Sequence, residues 1–282
     1  MGGTMTERLT EFANGDLVFD VLDDGPIDGP PVVLLHGFPQ RATAWELVAP
    51  LLHDKGFRTI APDQRGYSPR ARPPRRRDYR LGELAGDVIA LVDALGVDRV
   101  DLVGHDWGGS AAWTAAARHP DRVRTLTAIS TPHPAAFVQA MPRGQLLRSW
   151  YMAFFALPAV PEFLLARSFR PGSAALGRMG LPERFSSRLH DDIVISGALP
   201  GALNWYRGMP FSLRGERIPP VAVPTTFVWS DDDAYLGWPA ARLTAGWVRG
   251  PYEFRVIRGA DHWLLEKNPS DVAAAIIDRI GG

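Results

Sequence analysis

The sequence predicts an α/β fold: a mostly parallel central sheet with helices on both faces and an inserted helical cap. Three observations carry this expectation. Short apolar runs alternate with helical patterns between Val32 and Ile129, the rhythm that gives parallel strands covered on both faces. The rhythm stops after Ser130 and resumes only at Thr225, across a stretch rich in Pro, Phe, Leu and Arg with helical pieces and no clear strand. Between an apolar run and a small-residue helix lies Gly104-His105-Asp106-Trp107-Gly108-Gly109, a glycine-flanked turn that lifts one side chain to its apex.

The elements follow in order. Val32–Leu35 reads as a buried strand, Ala44–Leu52 as a helix and Phe57–Ile60 as the next strand. In residues 81–96, Leu81, Leu84, Ala85, Val88, Ile89, Val92 and Leu95 keep the 3.6-residue period of an amphipathic helix, which Gly96 ends. Strands at Val100–Val103 and Val123–Ile129 flank a helix over Ser110–Arg118. After the helical stretch come strands at Thr225–Trp229 and Phe254–Ile257, then an amphipathic helix at Val272–Ile280. The expected division is a core in two parts, residues 1–131 and 221–282, around a cap at residues 132–220. The length of 282 residues suits one such domain with an insertion.

Composition narrows the partners. Lys+Arg and Asp+Glu balance at 31 each, so no global charge draws the chain to nucleic acid or an anionic membrane. Six arginines crowd between Arg70 and Arg80, without the aromatic platform of a nucleic-acid arm, and read as a solvated loop. The most apolar stretch, Tyr151–Ala166, is too short for an ordinary membrane span and is broken by Pro158 and Pro161. It is expected to be a buried or lid segment. There is no cysteine, hence no disulfide, thiol nucleophile or thiolate metal site, which is compatible with a cytoplasmic protein. Residues 1–16 lack the apolar run of a signal peptide, and Met5 is an alternative start. No metal or cofactor motif is present, so none is expected.

Chemistry concentrates just past strand ends, where open α/β sheets place their sites. In hydrolytic elbows the apex residue is commonly Ser; here it is Asp106. His262 follows the last predicted strand, and Asp231, Asp232 and Asp233 follow the one before it. Nucleophile, acid and histidine thus occur in the chain order of a hydrolytic triad. His36-Gly37-Phe38-Pro39, after the first predicted strand, offers the backbone N–H of Phe38, which with that of Trp107 forms an oxyanion hole.

These motifs resemble those of the α/β-hydrolase superfamily, and of its epoxide hydrolase branch in particular. His36-Gly37-Phe38-Pro39, the Asp106 turn and Gly259-Ala260-Asp261-His262-Trp263 are similar to that branch's core motifs, and Asp63-Gln64-Arg65-Gly66-Tyr67-Ser68 to its loop after the next strand. By the family's spacing the acid is Asp233, four residues beyond Trp229, with Asp231 second; Ser230 replaces a common Gly. In the cap, Asn204-Trp205-Tyr206-Arg207 and the segment Trp150–Pro158 resemble those carrying two ring-opening tyrosines, which would be Tyr206 and Tyr151.

The resemblance implies conversion of an epoxide to a vicinal diol without a cofactor. Asp106 would form an alkyl ester, and His262, oriented by Asp233, would activate the water that hydrolyses it. Phe137, Trp150, Phe154, Phe155, Trp205 and Phe211 suggest an aromatic cap. A pocket is expected from Phe38, Trp107, Trp150, Phe154, Phe155 and Trp205, for a small lipophilic epoxide bound by a monomer or homodimer. Two other readings compete. Haloalkane dehalogenases share the Asp nucleophile, but they often carry Asn where Phe38 stands, and halide departure calls for N–H donors rather than tyrosine hydroxyls. A non-catalytic small-molecule binder of the same fold would commonly lack a triad member or carry Ser at the elbow.

Overall fold

The protein is described by a computed structural model, which covers residues 7–282; Met5 and the remainder of the first six residues lie outside that range. Eight strands form one sheet in the order β1-β2-β4-β3-β5-β6-β7-β8. They are β1 (Glu11–Asn14), β2 (Leu17–Asp24), β3 (Pro31–Leu35), β4 (Arg58–Pro62), β5 (Val100–His105), β6 (Val123–Ile129), β7 (Thr225–Ser230) and β8 (Tyr252–Ile257). From β4 through β8 every neighbouring pair is parallel. β2 pairs antiparallel with both β1 and β4.

The parallel strands read as continuous apolar runs because both faces are covered. Val33 and Leu35 of β3 pack on one side with Leu102 of β5 and the helices Leu81–Ala94 and Trp107–Arg118. Val32 and Leu34 pack on the other with Val103, Leu52 and Ile276 of the helix Pro269–Gly281.

Two details differ from the sequence expectation. The hairpin β1–β2 is absent from the sequence expectation; its strands mix buried Phe12, Phe19 and Val21 with half-buried and exposed polar residues, a weaker apolar signal than the buried runs. The helix expected over Ala44–Leu52 is a 3-10 turn, Ala42–Trp45, followed by a short helix, Ala49–His53. Pro50 lacks an N–H, so it is accommodated in a first turn rather than a helix interior and forces the restart.

Residues between β6 and β7 contain helices and no strand. The apolar stretch 151–166 falls in two helices, Trp150–Phe155 and Val160–Ser168, separated where Ala159 adopts φ 62°. It is only half buried: Tyr151, Phe155 and Leu165 pack against the core, while Val160, Phe163 and Leu164 face outward. Among the described residues no helix is long and apolar enough to cross a membrane. The longest helix of this segment, Leu199–Gly215, lays Trp205 and Tyr206 over the sheet's C-terminal end. Within the arginine run, Arg75, Arg76 and Arg77 are exposed, but Arg72 ties loops together by donating to the carbonyls of Tyr67 and Ser196.

Candidate active site

The elbow is formed by close backbone packing. β5 ends at His105, Asp106 takes φ 52° and ψ −121°, and the helix starts at Trp107. A side chain at Gly108 would place its Cβ 2.3 Å from the carbonyl oxygen of Leu35 in β3, and one at Gly37 would lie 2.5 Å from the Cβ of Asp106. Glycine at these positions lets the turn after β3 close against the aspartate. As a result the backbone N–H of Phe38 donates to Asp106 Oδ1 at 2.8 Å. Thr131 braces the turn by donating to the carbonyl of Asp106 at 2.7 Å.

The loops after β7 and β8 complete a line of three groups. His262 Nδ1 lies 2.8 Å from Asp233 Oδ2, and His262 Nε2 lies 3.7 Å from Asp106 Oδ2. Asp233 is further held by the backbone N–H groups of Tyr235 and Leu236 on Oδ1. Asp231 is turned away and accepts from the N–H of Gly259, so Asp233 is the aspartate that faces the imidazole.

Charge follows from this geometry. Burial opposes protonation of His262, but Asp233 and Asp106, with a contribution from Glu266, outweigh it and raise its pKa to about 9. Burial pushes the Asp106 carboxyl up, against His262 and the N–H groups of Phe38 and Trp107. Asp233 stays below its ordinary value because His262 and its backbone donors outweigh burial. His105, buried beneath the site and close to His262, is held down to about 3 and is neutral. It lies within hydrogen-bond reach of the His262 carbonyl.

The helical segment supplies neutral groups opposite this line. Tyr151 and Tyr206 have ring centroids 6.2 Å apart, and both line one cavity with Asp106 and His262. Burial drives both hydroxyls well above the ordinary tyrosine range; for Tyr151 the charge of Asp106 comes next, and for Tyr206 it follows that of Tyr151. Both therefore remain O–H donors across neutral pH. The rings of Trp107 and Tyr206 meet edge-on at 5.0 Å.

Two cavities meet at Asp106 and Tyr151. The larger, about 410 Å³, is lined by Phe38, Trp150, Phe155, Tyr206, Tyr235 and His262 among others. The smaller, about 70 Å³, is lined by Trp107, Phe137, Met152, Met209 and Leu236 among others. The expected pocket needs correction at two positions. Trp205 is fully buried and lines neither cavity; its indole N–H donates to the carbonyl of Arg65 at 2.7 Å. Phe154 also lines neither and packs beside Phe155, because adjacent helical residues point in different directions. Of the wider aromatic set, Phe211 is 46% exposed and lines neither cavity.

Sequence reasoning missed several lining residues. Tyr235 stacks edge-on against both His262, at 5.0 Å, and Tyr151, at 5.4 Å; its place two residues beyond Asp233 was the available signal. Phe169 and Met179 also line the larger cavity, and nothing in their local sequence marks them.

Comparison with known proteins agrees with this construction. The family model described as alpha/beta hydrolase fold matches residues 30–269. The chain is 36% identical over 273 residues to epoxide hydrolase 3 of Xenopus tropicalis, covering 92% of this chain and 74% of that protein. It is 32% identical to epoxide hydrolase A of Mycobacterium tuberculosis, with 99% and 98% covered. Among solved structures, epoxide hydrolase A of Mycobacterium thermoresistibile superposes with a TM-score of 0.83 at 26% identity, covering 96% of this chain and 97% of that one. The chain belongs to the α/β-hydrolase superfamily and, within it, to the epoxide hydrolase family.

Proposed function

We propose that this protein hydrolyses a lipophilic epoxide to a vicinal diol through an ester on Asp106. The observation that carries the reading is the pairing of a nucleophilic carboxylate with two neutral tyrosine donors across one cavity. Asp106 Oδ1 is engaged by the Phe38 N–H, which leaves Oδ2 the freer oxygen to attack a ring carbon. The bond from Oδ2 to that carbon forms as the ring C–O bond breaks. The departing oxygen stays on the substrate and takes a proton from the tyrosine pair, which solvent restores.

Esterification removes the charge of Asp106, one of the groups that hold His262 protonated. His262 then loses its proton more readily and accepts one from water at Nε2, while Asp233 stabilises the imidazolium. The water oxygen attacks the Asp106 carboxyl carbon. The resulting oxyanion develops on Oδ1, where the Phe38 N–H already points and the Trp107 N–H assists. The bond between the Asp106 carboxyl carbon and Oδ2 breaks, His262 passes the proton it took from water to that departing oxygen, and the diol leaves with an oxygen from the aspartate.

A halide substrate fits less well. Phe38 offers no side-chain N–H to join that of Trp107, whose ring packs edge-on against Tyr206 at 5.0 Å. In this reading residues 132–220 act as the cap. The unequal cavities suit an epoxide with a larger group on one carbon and a small substituent on the other. The absence of cysteine is compatible with a cytoplasmic location.

A single turnover with an aryl-substituted epoxide in heavy-oxygen water tests the mechanism. The expected result is label in the Asp106 peptide and none in the first diol released. Label in the diol alone would sink the covalent route.

A further inference from the structure

Glu266 is not explained by the mechanism above. It lies four residues beyond His262 in the chain, in the short helix Leu264–Lys267, and is only 7% exposed. Among the described residues no Arg or Lys forms an ion pair with it within 4 Å. Oε1 accepts a hydrogen bond from Gln40 Nε2, while Glu266 Oε2 and Gln40 Oε1 are buried without a hydrogen-bond partner. Such a carboxyl is costly to bury, and an apolar side chain would serve packing better. Gln40 follows immediately on His36-Gly37-Phe38-Pro39, so the contact joins the turn that holds the oxyanion to the helix that follows the histidine.

We infer that Glu266 is a positioning residue: a second carboxylate that, held by Gln40, stabilises the imidazolium His262 becomes on taking a proton from water. The inference rests on the reading of His262 as the base of ester hydrolysis. Its logic lies in what esterification removes. In the free protein His262 faces Asp106 from the elbow and Asp233 from the loop after β7, with neutral His105 below it at the end of β5. Once Asp106 is an ester, Asp233 and Glu266 are the carboxylates that remain.

The other charges nearby are already engaged. Lys267 pairs with Asp261 on the same side of the chain, and Arg188, which acts on Glu266 from the helical segment, pairs with Glu46 and lies 3.8 Å from Asp192. Burial lifts the Glu266 carboxyl to about 7 against the opposing hydrogen bond from Gln40 and the charge of His262. The charge of each group favours the charged form of the other. The sign is fixed: ionised Glu266 favours the charged imidazolium, so its removal lowers the pKa of His262.

The test follows both groups by NMR in the intact protein, with isotope-labelled imidazole and carboxyl carbons, beside the pH profile of ester hydrolysis. In the wild type, the His262 and Glu266 signals are expected to share their inflections. In Glu266→Gln the His262 midpoint should fall by about one unit. The acid limb of hydrolysis should move with it, and its plateau should drop about threefold. Glu266→Asp, which keeps the charge, should recover most of the shift. An unmoved His262 midpoint in Glu266→Gln overturns the inference. If that variant does not fold, wild-type signals with no shared inflection overturn it instead. Failure of the epoxide reading would appear separately, as absence of diol from the wild type, and the titrations would still decide the role of Glu266.

Discussion

The two walls of the site are made in opposite ways. The sheet wall is charged and is fixed by backbone: Asp106 by the N–H of Phe38, Asp233 by those of Tyr235 and Leu236, and His262 between them. The helical wall is aromatic and almost uncharged. Tyr151, Phe155 and Tyr206 hold one another by edge-on ring contacts at 5.0 to 6.2 Å. Arg148, this wall's one cation lining the larger cavity among the described residues, is spent on the carbonyls of Asp233 and Ala234. The difference separates two tasks. Making and hydrolysing an ester needs charges whose positions do not drift. In the proposed reaction, protonating the ring oxygen as it departs needs neutral donors in an apolar setting.

The most severe way to break this division is to disable the second half of the sheet wall. In His262→Gln, Asp106 and the tyrosines remain, so ring opening should proceed while hydrolysis slows by about a thousandfold or more. Intact-protein mass measurement after mixing with epoxide should find the alkylated chain persisting. A chain that remains unmodified, with no diol formed, would mean that His262 is needed for attack itself.

The helical wall should respond differently. Tyr206→Phe removes one donor and little volume, and ring opening is expected to slow by about a hundredfold. Tyr151→Phe should act in the same direction, and the double variant should nearly abolish alkylation. In none of them should the ester accumulate, because their effect precedes its formation. Stopped-flow Trp fluorescence, or quenching and mass analysis, separates the steps. A full-rate Tyr206→Phe would return that ring to packing against Phe38 and Trp107.

The same division explains what could be read before the structure was known. Asp106, Asp233 and His262 each sit within five residues of the end of a parallel strand, buried in β5 and β7 and half-buried in β8, and such strands announce themselves as apolar runs of the right length. The elbow glycines are visible because only glycine permits the contacts at Gly37 and Gly108. The helical wall is harder. Its helices are short, and which face of each points inward depends on partners distant in the chain. Aromatic chemistry alone therefore puts Phe154 and Trp205 in the pocket, while no local signal marks Met179 and Phe169. The pairing of Gln40 with Glu266 spans 226 positions, and no local pattern encodes it. The β1–β2 hairpin is not legible because its strands give no continuous apolar run: Asp20, Asp23 and Asp24 interrupt β2, and β1 buries only Phe12.

Trp205 gives the mildest and most discriminating test. It neighbours Tyr206 in sequence, yet its ring is buried against His36, Tyr67 and Trp107, and its N–H caps the carbonyl of Arg65. Arg65 is itself anchored by paired hydrogen bonds to Asp87. Trp205 thus fastens the helical segment to the loop after β4 and should contribute stability rather than selectivity. Trp205→Phe leaves a carbonyl unpaired and a small void, expected to cost about 2–3 kcal/mol. Turnover of the folded protein should stay within about threefold, with KM little changed, since the ring lines neither cavity. Urea unfolding and steady-state kinetics on the same preparation check both. A large rise in KM with undiminished stability would reverse the assignment, making Trp205 a wall of the substrate pocket and the helical segment's attachment the work of other contacts, such as the Arg188–Glu46 ion pair.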